Sequence, residues 1–198
     1  MPEFFEVVHR QRACRSFSDE DVPDEVVERL LEAATHAPSA ENRQPWVFVV
    51  VRDPETRARI AELTRRAWEG GARAHSEGQL DDRILADVDR GVAGGFGAAP
   101  VVIVACGNTQ VGHERSLPSS VFPAVQNLLL AATALGLGSA LTTLATHIGE
   151  DLAAVLDLPV HVRPMAVIPV GHPAQPLGPP RRRPVDEKAH RDRWGAGW

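Results

Sequence analysis

The chain has few cysteines and no hydrophobic run of membrane-spanning length. Its 198 residues include two cysteines, Cys14 and Cys106, which show no paired spacing. The sequence therefore indicates neither a disulfide framework nor a zinc site and favours a reducing, cytoplasmic setting. Residues 1–5 lack the basic stretch and long apolar run of a signal peptide, and we expect no membrane partner. The net charge of −5 and the pI of about 5.9 do not favour binding to nucleic acid.

Several common catalytic and nucleotide-binding motifs are also missing. Gly94, Gly95 and Gly97 precede an apolar strand pattern, whereas the glycines of a dinucleotide-binding loop follow a strand and open a helix. The sequence contains no G-x-x-x-x-G-K-[ST] loop and no G-x-S-x-G turn. Its eight histidines show no H-E-x-x-H or comparable spacing, so we predict no metal site. Any chemistry must therefore come from a bound cofactor.

Composition and apolar spacing predict one globular domain that mixes helices and strands. A chain of 198 residues with 43% hydrophobic and 24% charged residues can bury a substantial core. Apolar residues at helical spacing predict helices at residues 4–8, 23–34, 54–63, 83–92, 121–135 and 151–156. Runs of β-branched residues predict strands at residues 47–51, 101–106 and 162–170. Gly136 is placed to end the fifth helix, and residues 107–118 are predicted to form a polar loop.

A stiff polar loop joins the second predicted helix to the first predicted strand. Its sequence is A-P-S-A-E-N-R-Q-P-W. Pro38 and Pro45 fix φ and remove two backbone donors, so the loop cannot form a regular helix. Ser39, Asn42 and Gln44 can each donate and accept hydrogen bonds, which suits a flat polar ligand. An ordinary helix-to-strand connection stays open as the alternative, since serine, asparagine and proline are common turn residues.

Two arginine-rich segments and a threonine pair could converge with this loop on one ligand. The first segment contains Arg12 and Arg15, the second is residues 181–183, and the pair is Thr142 and Thr143. Arginine forks suit phosphate oxygens and planar acceptors. Arginines at one end and amides or hydroxyls along a flat body therefore fit flavin mononucleotide (FMN). A solvated basic loop and a threonine-bearing strand are the alternatives for these two features.

The same segments resemble the FMN-dependent nitroreductase family, in order and over nearly the whole chain. Residues 11–17, Q-R-A-C-R-S-F, are similar to the family pattern R-R-S-x-R-x-F, and residues 38–46 match P-S-x-x-N-x-Q-P-W completely. Residues 126–139 resemble Q-N-L-x-x-A…G-L-G-S, and residues 182–184 resemble R-x-P. The resemblance implies an α+β fold with a central, mostly antiparallel sheet wrapped by helices. It also implies an intertwined homodimer with two FMN sites at the interface.

The resemblance further implies a cofactor site without a catalytic side chain, because the flavin N5 atom carries the chemistry. Arg12 and the backbone around Ala13 correspond to the phosphate end, and Arg15 corresponds to an arginine over the flavin N1 and O2 atoms. Arg15 and Thr143 are expected to tune the flavin. Gln11 and Ala13 replace the arginine and serine that are usual in the family, which removes two phosphate contacts. The implied cofactor-binding residues are Gln11, Arg12, Ala13, Arg15, Pro38, Ser39, Asn42, Gln44, Leu141, Thr142, Thr143, Arg181, Arg182 and Arg183.

Other members of this set have expected positions in the implied dimer. Pro38, Ser39 and Asn42 are expected to come from the second subunit. Residues 141–143 are expected to face the flavin ring and its N5 atom. Residues 181–183, chiefly the middle arginine, are expected to hold the phosphate.

The resemblance implies an FMN-dependent oxidoreductase that takes electrons from NAD(P)H. It passes them to nitroaromatics, quinones or a similar flat acceptor, and the two substrates use the same flavin face in turn. A specialised dehydrogenase or dehalogenase on the same scaffold is the first alternative. A flavin-binding protein without turnover, in which residues 107–118 cover the flavin face, is the second.

Residues 173–198 are expected to form an arm of the single domain, residues 1–198, that packs on the partner subunit. The arm is too rich in proline and charge to bury itself, yet it carries Trp194 and Trp198. Docked tryptophans bury a large apolar area, and the apolar helix at 121–135 also favours a large interface. We therefore expect an obligate homodimer, with a disordered tail on a monomer as the alternative.

Overall fold

Helices and strands are interspersed along residues 2–198, which the computed structural model describes. The strands are β1 (Trp46–Val51), β2 (Val101–Asn108), β3 (Gly138–Ser139) and β4 (Val162–Gly171). The helices are α1 (Phe4–Arg10), α2 (Asp24–Thr35), α3 (Pro54–Ala67), α4 (Arg73–Ser76), α5 (Asp82–Arg90), α6 (Leu117–Ala134) and α7 (Gly149–Val155). Within residues 2–198, no helix is both long and apolar enough to cross a membrane. The predicted α+β class is confirmed, although the short strand β3 and the short helix α4 are additions that the sequence pattern does not predict.

The four strands form one antiparallel sheet in the order β1-β2-β4-β3. Trp46 of β1 lies opposite Gly107 of β2, and Val101 of β2 lies opposite Val170 of β4. Ser139 of β3 pairs with Val170 from the other side. β1 and β3 are therefore the two edges of the sheet, and the predicted central antiparallel sheet is confirmed.

Helices cover both faces of this sheet because its central strand β2 is apolar on both. The residues of β2 are buried from Val101 to Gly107. Ile103 belongs to a core shared with α2 and α6, and Val104 belongs to a second core shared with α3 and α7. Successive residues of a strand point to opposite faces, so continuous burial requires two helical layers.

The helix α6 begins four residues before its predicted start because Pro118 fits in its first turn. Proline has no N–H, and the first N–H groups of a helix have no partner inside the helix. Gly107 and Asn108 belong to β2. The polar loop predicted over residues 107–118 is therefore shorter at both ends.

Gly136 ends α6 as predicted, with a φ of +79° that a glycine adopts without strain. The Leu137 N–H donates to the Ala132 carbonyl at 2.8 Å, and the Gly136 N–H donates to the Thr133 carbonyl at 3.1 Å. These are the two hydrogen bonds of a Schellman motif. Leu128, in the middle of α6, is fully buried, so its own subunit accounts for much of the burial of this helix.

Two π-helical turns that contain glycine shape the polar segment between α3 and β2. They lie at Trp68–Ala72 and Gly91–Gly95, where Gly71 and Gly94 have φ values of +140° and +155°. Residues with a Cβ rarely adopt such φ values. The helix predicted at residues 83–92 is present as α5 and ends where the second turn begins.

Asp89 of α5 holds the first of these turns in place. Its carboxylate accepts a hydrogen bond from Trp68 Nε1 at 2.8 Å and from Arg73 Nε and Nη2 at 3.0 and 3.2 Å. The Arg73 guanidinium lowers the pKa of Asp89, so the carboxylate stays charged at neutral pH. A side-chain network, rather than a continuous helix, therefore fixes this segment against α5.

Candidate functional site

An extended segment after α1 adds Ala13 and Cys14 to the outer edge of the sheet. Ala13 forms a parallel bridge with Ser139 of β3, and the Cys14 N–H donates to the Ser139 carbonyl at 2.9 Å. A Cβ on Gly138 would lie 2.6 Å from Cys14 Sγ, so only glycine permits this close approach. The predicted cofactor residues at 11–15 are therefore fixed beside β3.

The side chain of Cys14 points into the core and offers no reactive thiolate. It is 1% exposed, and burial raises the pKa of its thiol. Its Sγ donates to the Ser16 carbonyl at 3.2 Å. The ionic groups that this segment offers to a ligand are therefore Arg12 and Arg15, on either side of Cys14.

Arg15 is half-buried against α5 and forms an ion pair with Asp87. Its Nη1 lies 2.6 Å from Asp87 Oδ2, and the two side chains are 22% and 34% exposed. Gly91 and Gly95 lie directly against it: an added Cβ would come within 3.0 Å of the Arg15 Cβ at Gly91 and 2.0 Å of the Arg15 carbonyl oxygen at Gly95. The π-helical turn after α5 thus encloses the backbone and the aliphatic stem of Arg15.

A cavity of about 380 Å³ opens beside Arg15. Its lining includes Arg15, Asp87, Arg90, Gly94, and Gln175 from the C-terminal segment. Arginine groups bind phosphate and planar oxygen acceptors. A polar cavity beside a half-buried guanidinium can therefore accept part of an anionic ligand.

The residues predicted to face a flavin ring lie just after β3 and differ in exposure. Leu141 is 40% exposed, whereas Thr142 is 9% exposed. Thr142 and Val167 exchange two backbone hydrogen bonds, of 3.0 and 2.9 Å, in an isolated bridge, so Thr142 is not part of a longer strand. The Thr142 hydroxyl accepts a hydrogen bond from the Leu144 N–H at 3.2 Å, and the Thr143 carbonyl accepts one from the Thr146 hydroxyl at 2.7 Å. Leu141 is thus the side chain that this segment presents outward.

The polar loop before β1 contains one short 3₁₀ turn, Ala40–Asn42, in place of a regular helix. Ser39 Oγ accepts from the Gln44 N–H at 3.0 Å, and Gln44 Nε2 donates to Asn42 Oδ1 at 3.3 Å. Glu41, Asn42 and Gln44 have φ values of +54°, +53° and +52°. Non-glycine residues in this region cost about 1–3 kcal/mol each and cluster at ligand-binding sites.

Two other residues place this loop at one end of α6. Pro38 is exposed, and the Ala40 N–H donates to Ser120 Oγ at 3.2 Å. Ser120 lies in the first turn of α6, whereas Ser139 follows the end of the same helix. The loop and the Arg12–Arg15 segment are thus at opposite ends of α6.

The register of the sheet gives the same separation. The loop leads into Trp46, which is opposite Gly107, and Gly107 is opposite Arg163 of β4. Ser139, which carries the Arg12–Arg15 segment, is opposite Val170 of β4. With about 3.3 Å per strand residue, Arg163 and Val170 are roughly 23 Å apart. The structure therefore brings residues 11–15 and 141–143 together, but it does not bring the loop to them within one subunit.

The C-terminal segment begins on its own subunit. The Ala174 N–H donates to the Ser16 carbonyl at 3.1 Å, and Arg12 Nη1 donates to the Gly178 carbonyl at 2.9 Å. The three arginines that follow are exposed, and among them Arg182 Nη1 donates to the Arg181 carbonyl at 3.0 Å. The third, at position 183, lies 3.6 Å from a carboxylate oxygen of Glu187. The hydrogen bond from Arg12 thus holds Gly178, three residues before the arginine triplet, next to the candidate site. Packing of this segment on a partner subunit stays a prediction.

Three residues that shape this site are absent from the predicted cofactor-binding set. Ser139 binds the Cys14 backbone, Gly95 encloses Arg15, and Asp87 pairs with it. The density of glycines at 91–97 could have indicated a close backbone approach. Asp87 gives no local signal, because it is one of many acidic residues on exposed helix faces.

The model of the nitroreductase family matches residues 8–172 of the chain. The chain belongs to this family. An iodotyrosine deiodinase of Haliscomenobacter hydrossis is 32% identical, with 87% of this chain aligned to 80% of that protein. A "Putative NADH dehydrogenase/NAD(P)H nitroreductase" of Methanothermobacter thermautotrophicus is 30% identical, with 97% of this chain aligned to 88% of that protein. The resemblance carried by the sequence motifs is therefore confirmed for the family.

Solved structures of related proteins share the fold of this chain. A Desulfovibrio desulfuricans protein in complex with FMN is 29% identical and superposes with a TM-score of 0.75, covering 98% of this chain and 99% of its own. An oxidised iodotyrosine deiodinase bound to FMN and 3-iodo-L-tyrosine is 26% identical, also with a TM-score of 0.75, covering 92% and 96%. Both of these proteins hold FMN in their crystals.

Proposed function

We propose that this nitroreductase-family chain binds FMN and passes electrons from NAD(P)H to a flat acceptor such as a nitroaromatic compound or a quinone. The observation that carries this proposal is the bridge between Ala13 and Ser139, which fixes Arg12 and Arg15 on the same sheet edge as Leu141. Relatives that hold FMN, and one named for NAD(P)H, support it.

The residues on this edge fit FMN in charge and in surface. The guanidinium groups of Arg12 and Arg15 suit a terminal phosphate and the oxygen-bearing edge of a planar ring. The exposed side chain of Leu141 gives such a ring an apolar surface. The glycines at 94–97 lie before β2 rather than after a strand, so they do not form a dinucleotide-binding loop, which favours FMN over FAD in this proposal. When bound, FMN supplies two-electron transfer through its N5 atom.

In this proposal, different residues of the chain bind the FMN phosphate and adjust the reduction potential of the flavin ring. Arg15 lies over N1 and O2 in this proposal and interacts more strongly with the negatively charged reduced ring than with the oxidised ring. Arg12, the backbone at Ala13 and Arg182 hold the phosphate. Gln11 provides no cation and Ala13 no hydroxyl, so phosphate binding depends mainly on the two arginines.

The complete site needs a second copy of the chain. The loop with Pro38, Ser39, Asn42 and Gln44 lies roughly 23 Å along the sheet from Ser139 of its own subunit. A homodimer in which the loop of one subunit reaches the Arg12–Arg15 segment of the other brings them together. The strained φ values of the loop then have a function, because they fix its polar groups for the partner's ligand.

Reductive dehalogenation of a halogenated aromatic compound is the second candidate. The observation that favours it is the 32% identity to an iodotyrosine deiodinase over 87% of the chain. The two candidates share the cofactor, the arginines and the dimer, and differ only in the acceptor.

Anaerobic bleaching tests the proposal. The purified protein is expected to carry a yellow cofactor that heat releases as FMN, and NADH or NADPH is expected to bleach it under argon. A nitroaromatic compound or a quinone should then restore the colour, and a halogenated tyrosine tests the second candidate. A protein that is purified and reconstituted without binding FMN would contradict the proposal. Bleaching that no acceptor reverses would leave a flavin-binding protein without turnover.

Removal of the arginine triplet is expected to weaken FMN binding about tenfold or more, because a charge-assisted phosphate contact is lost. The chain cut to residues 1–180 keeps the bond from Arg12 to Gly178 and loses residues 181–183. Its matched control, residues 1–187, keeps the triplet and loses Trp194 and Trp198. FMN titration at a concentration where the control is dimeric measures the difference.

The same pair of truncations tests the arm. Both shortened chains lack Trp194 and Trp198, so both are expected to dissociate at a higher protein concentration than the full chain, as analytical ultracentrifugation can measure. A chain 1–180 that stays yellow and dimeric would refute both the docked arm and the role given to Arg182.

A further inference from the structure

One carboxylate lies against the guanidinium that the proposed function places over the flavin. Asp87 Oδ2 is 2.6 Å from Arg15 Nη1. We propose that Asp87 is a positioning residue, which acts through Arg15 to set the reduction potential of bound FMN. This inference rests on the proposed function, and its test separates the two.

The packing of α5 against the Arg15 segment places Asp87 next to Arg15. Asp87 lies one helical turn before Gly91, and Gly91 and Gly95 are pressed against the Cβ and the carbonyl oxygen of Arg15. The contact between α5 and Arg15 therefore does not depend on two flexible side chains meeting by chance. The Arg15 and Asp87 side chains are only 22% and 34% exposed. Solvent therefore screens this ion pair less than it screens a pair on the surface.

Asp87 also pairs with a second arginine, Arg90, which partly neutralises its negative charge. Its Oδ1 accepts from Arg90 Nη2 at 3.0 Å, and the Arg90 side chain is 70% exposed. Arg15, Asp87 and Arg90 thus form a row of alternating charge that ends in solvent. All three line the 380 Å³ cavity beside Arg15.

This row has a defined electrostatic consequence for a flavin next to Arg15. A cation over N1 and O2 favours the reduced ring, and a carboxylate behind that cation opposes it by repulsion. Asp87 therefore lowers the reduction potential while it fixes the orientation of the guanidinium. Arg90 partly neutralises Asp87 and so raises the potential again.

Substitutions of Asp87 and Arg90 are expected to shift the reduction potential of bound FMN in opposite directions. Asp87→Asn keeps a side-chain oxygen that accepts from Arg15 and removes the negative charge, so the FMN potential is expected to shift in the positive direction. Arg90→Gln leaves Asp87 with its full charge, so the potential is expected to shift in the negative direction. For Asp87→Asn we expect the ratio of affinities for reduced and oxidised FMN to rise about tenfold, which for a two-electron couple is about 30 mV.

Asp89→Asn is the matched control for the carboxylate. Asp89 lies on the same helix and accepts hydrogen bonds from Trp68 and Arg73 rather than from Arg15. Its replacement is expected to lower thermal stability and to leave the potential unchanged. A purely structural role for Asp87 would give that same pattern.

Equilibrium reduction of the FMN-loaded protein against a dye of known potential measures each variant. Opposite shifts for Asp87→Asn and Arg90→Gln, with no shift for Asp89→Asn, are the expected result. An unchanged potential in Asp87→Asn overturns the inference while the bleaching reaction of the parent protein still supports the proposed function. If Asp87→Asn does not fold, Arg90→Gln decides alone, since its side chain is exposed and a missing negative shift overturns the inference. A parent protein that binds no FMN overturns both.

Discussion

Arg15→Ala is expected to slow the bleaching of bound FMN by NADPH about 30- to 1000-fold, equivalent to roughly 2–4 kcal/mol in the barrier. The guanidinium interacts with the reduced ring more strongly than with the oxidised ring, so its loss raises the barrier more than it weakens cofactor binding. The variant also leaves Asp87 with Arg90 as its remaining ionic partner, so repulsion between its carboxylate and the reduced ring is expected to add to the lost attraction. Anaerobic stopped-flow reduction gives the rate, and FMN titration gives the affinity.

Arg12→Ala is the matched comparison for this prediction. Arg12 donates to Gly178 and is assigned to the phosphate, so its loss should weaken FMN retention more than the reduction rate. A variant of Arg15 that is bleached at the parent rate, when fully loaded with FMN, would remove Arg15 from its assigned place.

Gly95→Ala is expected to lower the free energy of unfolding by about 3 kcal/mol or more, because the new methyl group would lie 2.0 Å from the Arg15 carbonyl oxygen. The obstacle is backbone rather than a flexible side chain, so the turn at Gly91–Gly95 must move away from Arg15. For a chain of this size, that loss corresponds to a melting temperature roughly 6–12 °C lower. We also expect weaker FMN binding, since the enclosure of Arg15 is lost.

Gly70→Ala provides the control, since Gly70 lies in the other π-helical turn and an added Cβ there meets nothing within 4 Å. Thermal unfolding followed by circular dichroism compares the two variants. Equal melting temperatures would show that the turn after α5 does not press against Arg15 in solution.

The sequence predicts most of the regular structure because local signals decide it. Apolar spacing gives α2 and α6, β-branched runs give β1, β2 and β4, and Gly136 ends a helix as its position indicates. The motifs around Arg12, Arg15 and Ser139 identify the family. These are patterns within about twenty residues, and propensity and capping act over that range.

The remaining features depend on contacts between distant parts of the chain. Asp87 and Arg15 are separated by 72 positions, so no spacing rule connects them. β3 has only two residues and pairs with β4, more than twenty positions further along the chain, and Gly138 also allows Cys14 to approach. The segment after α3 is irregular because Gly71 and Gly94 adopt φ values that helix spacing cannot reveal.

In the proposed homodimer, the distance between the polar loop and the Arg12–Arg15 segment would couple cofactor binding to subunit association. If each FMN site takes residues from both copies, a ligand that binds only the dimer stabilises it by mass action. The apparent FMN affinity then depends on protein concentration, and the apparent dimer affinity depends on FMN concentration. By thermodynamic reciprocity the two effects are equal in free energy. In a dilute solution, such a protein loses its colour and its quaternary structure together.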